Sequence, residues 1–335
     1  MVLVTGGTGL VGSHLLLHLV EQGVPVRAIY RSGSHLEQVE KIFSYYSPFA
    51  GAFFKKIEWV MADLLDLPSM ENAFVGIEKV YHAAALISFD PNDYELLMRT
   101  NTEGTANVVN LCIAHKVVKI CYVSSIATIG NSIAGEMVDE GNMFTEQHAN
   151  VYALSKYAAE MEVWRGSQEG LEVVIVNPGI IVGPGFWKKE SGRLFTTANK
   201  GYSYFPPSGT GFIGVRDVVN MMVMLMDASI NRERYISISE NLSYREVLAM
   251  MARHLGKSPP ARPLQLWQLE LFRFFDWLGH FASKKGRKLT RNGINSLKHR
   301  TFYSNEKAKR DIGFVFAPVS DAMLFSIKLF KEENP

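Results

Sequence analysis

Only two cysteines occur in 335 residues, Cys112 and Cys121. They form no closely spaced pair, so a disulfide framework and a cysteine-rich metal site are both poorly served. The first falls in a helical pattern and the second in an apolar strand, as two reduced core thiols would. Charge of one sign is equally scarce: 35 Lys and Arg against 33 Asp and Glu leave a net charge of +2, which gives no reason to expect a nucleic-acid partner. No run reaches the ~18 apolar residues of a membrane span. The chain enters a strand pattern at Val2 without a basic leader or a small-residue cleavage site. A cytoplasmic setting and a small-molecule ligand are therefore expected. Internal repeats and low-complexity tracts are lacking too.

What is present is a regular alternation. Apolar runs at "MVLVT", "VPVRAIY", "IEWVMAD", "KVYHAA" and "KICYVSS" are separated by helical patterns at 11–23, near 34–45, near 67–75 and across 95–115. A helix over 151–168 and a strand at "EVVIVNP" extend the series. Strands almost continuous in Val, Ile and Ala, alternating with helices, predict a parallel sheet covered on both faces. The expected fold class is α/β, a Rossmann-type doubly wound sheet over residues 1–178 with a return near 210–240. After Pro178 the texture turns to Gly, Pro and aromatics, and residues 179–335 are expected to form a smaller, discontinuous substrate-binding part.

The stretch "LVTGGTGLVGSHLL" sets Gly6, Gly7, Gly9 and Gly12 between the first strand and the first helix. A glycine turn there lets the backbone approach a pyrophosphate, while the helix N-terminus offers N–H groups and partial positive charge. The spacing is G-x-x-G-x-x-G rather than G-x-G-x-x-G, so on its own a simple tight turn stays open. Farther on, "VYALSKYAAE" holds Tyr152 and Lys156 at i,i+4, a spacing that sets phenol and ammonium on one helix face. Ser124 and Ser125 close the preceding strand at the carboxyl edge, where open α/β sheets bind ligands.

With these motifs the sequence resembles an extended short-chain dehydrogenase/reductase of the epimerase/dehydratase type, and it is most similar to the dihydroflavonol-reductase-like and 3β-hydroxysteroid-dehydrogenase-like branches. The likeness is dense over residues 2–185, continues through "GFIGVRDVV" and "ENLSYREVLAMMARHLGK", and loosens at the C-terminus. The resemblance implies a catalytic Ser125, Tyr152 and Lys156, supported by Asn101. It implies a dinucleotide cradle of Gly6, Thr8, Gly9, Leu10, Val11 and Gly12, with Asp63 and Leu64 beside the adenine and Ala83, Ala84 and Ala85 in a small-residue turn. Ser124, Pro178, Gly179 and Ile180 would flank the nicotinamide end, where Tyr152 and Lys156 also touch the cofactor. At the end of the second strand Tyr30 stands where an NAD enzyme of this kind usually has an acid, and Arg31 and Ser32 follow, which favours NADP over the alternative, NAD.

Chemically, a free tyrosine near pKa 10 needs about 4 kcal/mol of preferential phenolate stabilisation to work near pH 7, and Lys156 is its natural source. The favoured function is an NADP-dependent oxidoreductase that interconverts a carbonyl and a secondary alcohol on a fairly hydrophobic small molecule. A nucleotide-sugar epimerase and a non-catalytic NADP sensor are the alternatives. A dehydratase is disfavoured because "SSIA" lacks the acidic pair those relatives carry.

Other features call for plainer roles. His14 and His18 lie at i,i+4, but no third ligand is near and no metal is expected. The Met-rich "VVNMMVMLMD" reads as helix core. The aromatic segment 264–288, with Trp267, Phe272, Phe274, Phe275, Trp277 and Phe281 ahead of "SKKGRK", has three open placements: over a greasy substrate pocket, against a membrane surface, or in core or dimer packing. The resemblance implies a homodimer through the helices 101–115 and 152–164, with Val108, Leu111, Ala158 and Met161 at the interface.

Overall fold

The computed structural model describes residues 1–130, 132, 136–147, 149–265, 267–268 and 300–334. Its strands are β1 (Val2–Thr5), β2 (Val26–Tyr30), β3 (Glu58–Met61), β4 (Lys79–His82), β5 (Lys119–Val123), β6 (Glu172–Pro178), β7 (Ile180–Val182), β8 (Tyr204–Phe205), β9 (Gly209–Gly214), β10 (Glu233–Ser237) and β11 (Glu240–Ser243). A further short strand, Arg262–Pro263, pairs with β8. Seven of them form one wholly parallel sheet in the order β10-β6-β5-β4-β1-β2-β3. The chain leaves β1 toward β2 and β3, then crosses to the other side of β1 to lay down β4. The carboxyl ends of β1 and β4 thus border the switch point where such sheets bind ligands.

Helices cover both faces, as the continuous apolar strands require. On one side α1 (Leu10–Glu21), α2 (Leu36–Ser44), α3 (Ala50–Phe54) and α9 (Val215–Asp227) pack on Val4, Tyr81, Cys121 and Val174. On the other, α4 (Leu67–Phe74), α6 (Gly104–Ala114) and α7 (Val151–Gln168) pack on Leu3, Val80, Ile120 and Val173. The alternating register decides which residue faces which layer. Both cysteines are buried and unpaired. The Met-rich stretch is α9, whose Met221, Met222, Leu225 and Met226 lie inside the first of these cores.

After β6 the chain builds a second layer. β7, β9 and β11 form a three-stranded sheet beside α8 (Arg193–Asn199), α10 (Tyr244–His254) and α12 (Val319–Glu333). Its core is aromatic: the Trp187 ring lies edge-on to Phe195 at 5.2 Å and to Phe330 at 5.3 Å. Between these pieces α9, β10 and α11 (Glu306–Ile312) return to the main sheet. The junction is tight around Gly179, where an added Cβ would sit 2.3 Å from the Gly211 carbonyl oxygen.

Three expectations need comment. Val108 and Leu111, expected at a dimer surface, are 0% and 4% exposed and belong to the core under the sheet, so they cannot face a second chain; Ala158 and Met161 are half-buried. The reason is that α6 is apolar on nearly every side, and its packing on the strands takes Val108 and Leu111. His14 is a buried packing residue: its ring bonds the Leu10 carbonyl at 2.8 Å and the Tyr46 hydroxyl at 3.0 Å, and burial lowers its pKa to about 4. Most of the aromatic segment 264–288 lies outside the described residues. Among the described residues no helix is long and apolar enough to cross a membrane.

Lys119 is an unusual strand residue, 2% exposed, whose ammonium donates to the carbonyls of Leu225 at 2.8 Å and Ala228 at 2.7 Å. It caps the C-terminus of α9 from beneath the sheet, satisfying carbonyls that the helix leaves unpaired. Lys119→Met should therefore lower unfolding stability by about 1–3 kcal/mol, read as a lower urea midpoint at unchanged slope. An unaltered midpoint would show that water replaces the lysine at no cost.

Candidate active site

The glycine turn closes on itself. Gly6 has φ +70, and a Cβ there would lie 2.6 Å from the Ala84 nitrogen and 2.7 Å from the Ala83 carbonyl oxygen, so the β1 turn and the β4 turn need a glycine to touch. A Cβ on Gly12 would lie 2.1 Å from the Gly6 oxygen, which is how α1 comes so close under the turn. Gly9 differs: it is exposed, and its nearest obstacle would be Gly6 oxygen at 3.4 Å. It precedes α1 in extended conformation with no side-chain cap, leaving the first-turn N–H groups without a side-chain acceptor. Thr8 and Val11 are half-buried beside it and Leu10 is buried. This open, uncapped N-terminus fits the pyrophosphate of a dinucleotide.

Around it stand the other expected cofactor residues. Arg31 and Ser32 lie exposed just beyond β2. Asp63 accepts the Leu65 N–H at 3.0 Å, and the Leu64 carbonyl is held by Asn107 at 2.8 Å. Ala83 and Ala84 are half-buried against the glycine turn and Ala85 is exposed. Beyond β6, Pro178 is buried, Gly179 donates its N–H to the Ser237 carbonyl at 3.1 Å, and Ile180 opens β7 half-buried.

Asn101 lies in a π-helical segment, Met98–Glu103, between α5 (Tyr94–Leu97) and α6. Its amide is fully occupied. The oxygen accepts the Leu86 N–H at 2.7 Å, and the nitrogen donates to the Leu86 carbonyl and to Ser155 Oγ, each at 3.0 Å. It thereby ties the loop after β4 to α7, a positioning role.

α7 delivers the reactive side chains. Asn150 caps it by accepting the Ala153 N–H at 2.8 Å, so Tyr152 sits in its first turn. Burial pushes the Tyr152 pKa up to about 12, an effect Glu190 reinforces and the neighbouring Ser125 hydroxyl opposes. The exposed Phe89 lies edge-on to the Tyr152 ring, 5.5 Å between centroids. Glu190 itself has a strained φ of +45, in the loop that follows β7. Ser125 starts a short 3₁₀ turn, its Oγ accepting the Ala127 N–H at 3.1 Å.

Lys156 is 1% exposed. Its ammonium donates to the Tyr122 hydroxyl at 2.6 Å and the Val123 carbonyl at 2.9 Å, and desolvation lowers its pKa to about 7 while Glu160 pulls the other way. Ser124 behaves differently from its neighbour: its hydroxyl donates to Glu160 at 2.6 Å and is 4% exposed, so it supports the catalytic strand from within.

Glu160 and Tyr122 escaped sequence reasoning. Glu160 is fully buried and accepts bonds from Ser124, Thr128 (2.7 Å), Asn177 (3.0 Å) and Arg234 (3.2 Å). The available signal was its spacing, since it follows Lys156 by four and Tyr152 by eight on one helix face. A buried acid on the catalytic stripe of a helix is not there for solubility.

The family model for the NAD dependent epimerase/dehydratase family matches residues 2–238. A Synechocystis sp. protein carrying the name dihydroflavonol 4-reductase is 28% identical over 99% of this chain and 94% of its own. Sterol demethylase protein B of Methylococcus capsulatus is 26% identical, covering 99% of this chain and 98% of that one. Among solved structures, gox2253 superposes with a TM-score of 0.82 at 28% identity, covering 100% and 98% of the two chains. A nucleoside-diphosphate-sugar epimerase from Pseudomonas aeruginosa shares the fold at TM-score 0.77 and 20% identity, covering 99% and 98%. With the glycine turn, the parallel sheet and the α7 motif together, the chain belongs to the NAD-dependent epimerase/dehydratase family of extended short-chain dehydrogenases/reductases, and it is an NAD(P)-dependent enzyme.

Proposed function

We propose that this enzyme interconverts a ketone or aldehyde and the corresponding alcohol on a hydrophobic small molecule, with NADP as cofactor and Ser125, Tyr152 and Lys156 as the reacting set. The observation that carries the reading is Tyr152 itself, with the Ser125 hydroxyl beside it acting to lower its pKa, flanked by the exposed ring of Phe89, and one helical turn from the buried Lys156. Bound cofactor supplies or accepts the hydride. The chain's residues handle the proton: Tyr152 donates it to the carbonyl oxygen in reduction, and Ser125 holds that oxygen as charge develops. Burial alone holds the phenol protonated, with its pKa up at about 12, so the phenolate left when it gives its proton must be stabilised by the Ser125 hydroxyl, by a charged Lys156 and by bound oxidised cofactor. Lys156, less than fully protonated near neutrality, favours the phenolate electrostatically when it carries its charge and holds the cofactor ribose. Arg31 supports NADP over NAD as a counter-charge for a 2′-phosphate. Ile87 and Phe89, both exposed in the loop after β4, with the Phe89 ring against Tyr152, favour an apolar or aromatic substrate body.

Two experiments test this. NADPH should bind more tightly than NADH in fluorescence titration, and Arg31→Glu should narrow or reverse the preference; superimposable curves for the two cofactors in the unmutated enzyme would discard NADP. For the chemistry, Tyr152→Phe should bind NADPH almost unchanged yet lose most turnover with apolar ketones, because the phenol acts only in the transition state. Ser125→Ala should lose about 2.7–4 kcal/mol of transition-state stabilisation if its hydroxyl works as one oxyanion donor. Reduction uses the protonated phenol, so its rate should fall as pH rises through the apparent pKa of Tyr152, while alcohol oxidation should rise over the same range. Full turnover by Tyr152→Phe would remove the phenol from the mechanism.

A further inference from the structure

The pairing of β5 with β6 ends at the bond from the Ser124 N–H to the Val176 carbonyl, 2.7 Å long. Ser125 is the first residue past it, so the sheet does not set where its hydroxyl stands. Its carbonyl oxygen is held instead by Thr128 Oγ1 at 2.9 Å and Asn177 Nδ2 at 3.2 Å, besides the Thr128 N–H at 3.1 Å that closes the 3₁₀ turn. The same two side chains reach Glu160, whose Oε2 lies 2.7 Å from Thr128 Oγ1 and 3.0 Å from Asn177 Nδ2. Ser124 Oγ donates to that oxygen too, at 2.6 Å. The Ser125 carbonyl and the Glu160 carboxylate are thus two acceptors bridged by one hydroxyl and one amide. Thr128, Asn177 and Glu160 are all 0% exposed, at places where apolar side chains would fill the layer with no polar atom to satisfy.

The far side of the carboxylate meets donors only. Oε1 faces the Arg234 guanidinium at 3.2 Å and the Trp164 indole N–H at 3.4 Å, neither of which can accept. Lys156, the other buried ionisable group of α7, is bonded to Tyr122 and the Val123 carbonyl rather than to Glu160. Thr128 has one proton and gives it either to the Ser125 carbonyl or to Oε2; Asn177 has two and serves whichever is left. Both arrangements join the same two oxygens through the same side chains, so the linkage does not depend on which proton goes where. Ser125 Oγ itself accepts the Ala127 N–H at 3.1 Å, which leaves its own proton to give.

We propose that Glu160 is a positioning residue for Ser125: acting through Thr128 and Asn177, it fixes the turn from which the Ser125 hydroxyl is presented to the substrate oxygen. The proposal rests on the reading of Ser125 as the donor to that oxygen. Glu160 is fully buried beneath the turn, so its effect is on where the donor stands, and a misplacement of about 1 Å there can cost about a hundredfold in rate. Glu160→Gln keeps the length of the side chain and turns one acceptor oxygen into an amide nitrogen, which meets donors at whichever end it lies. The carboxylate then loses its hold either on Thr128 and Asn177 or on Arg234 and Trp164.

The test is a double-mutant cycle on kcat for reduction of an apolar ketone by NADPH, in the unmutated enzyme, Glu160→Gln, Ser125→Ala and the double variant. Glu160→Gln alone should lower kcat by about tenfold to a hundredfold, with NADPH affinity unchanged in fluorescence titration. In the Ser125→Ala background the same change should cost no more than about twofold, because the hydroxyl it positions is gone. A purely structural role would cost as much in either background. Equal losses in the two backgrounds, or no loss in Glu160→Gln, would overturn the proposal. Thr128→Val keeps the shape of the side chain and removes the shared hydroxyl; taken through the same cycle, it decides the matter even if Glu160→Gln does not fold, and Thr128→Ser should restore most of the rate. Turnover by Ser125→Ala at the unmutated rate would instead remove the reading of Ser125 itself, so the two failures are separately visible.

Discussion

The carboxyl edge of the main sheet depends on one costly arrangement: α7 buries two ionisable groups of opposite sign, Lys156 and Glu160, a single turn apart. Neither could stay ionised in a dry interior without partners, and their mutual attraction alone rarely compensates the desolvation of both. The fold meets the cost with hydrogen bonds drawn from four segments. Lys156 gives protons to Tyr122 and Val123 of β5. Glu160 takes them from Ser124 and Thr128 just beyond β5, Asn177 of β6 and Arg234 of β10. Arg234 then reaches on to the Glu140 carbonyl at 2.6 Å, so the loop before α7 is tied to the same charge. Removing either ionised group would leave the other buried with unmatched partners, and the ends of β5 and β6 would lose what sets their spacing. Ser125 and Tyr152 face each other because the segments beneath them are pinned this way.

The two ends of the site answer to different constraints. At the dinucleotide end the constraint is close approach: Gly6 meets the Ala83–Ala84 turn and Gly12 meets Gly6, and the outcome is an uncapped helix terminus with room in front of it. At the reacting end the constraint is polar satisfaction. Thr5 lies between them, with its backbone leading into the glycine turn and its hydroxyl bonded to His82 and to the Ala84 N–H.

Much of this was legible in the sequence, for identifiable reasons. Strands buried on both faces are continuous in apolar residues, so β1 to β6 could be read almost to their ends. Glycines forced by close approach stand out because nothing else fits. Tyr152 and Lys156 share a helix face by spacing alone. Other features were hidden by equally physical causes. In α6 the sequence GTANVVNLCIA has no clearly polar side, so which apolar residues face the sheet is settled only by packing, and Val108 and Leu111 turn inward. Adjacent serines look alike, yet Ser124 points to Glu160 while Ser125 opens a 3₁₀ turn toward Tyr152. Asn101 works from a π-helical segment that no periodicity announces. Thr5, His82 and Tyr122 are separated by 77 and 40 positions, and only the register of three parallel strands makes them neighbours.

One scaffold with this proton-handling edge can carry different reactions because the parts that choose the substrate are built elsewhere. The candidate residues Ser125, Tyr152 and Lys156 come from the turn after β5 and from α7, within the main sheet and its cover. Beside Tyr152 stand Phe89, in the loop after β4, and Glu190, in the segment after β7. The second unit behind that segment is held by Trp187, Phe195 and Phe330, a core that shares no residue with the catalytic layer. The β4 loop is held at its base, where Asn101 grips Leu86 from both sides, and farther on by bonds among Ser88, Asp90, Asn92 and Asp93. Beyond that grip the loop can change its side chains without disturbing Lys156 or Glu160. Phe89 stands just past the grip and against the Tyr152 ring, so a change there alters what borders the phenol while leaving Lys156 and Glu160 and their partners in place.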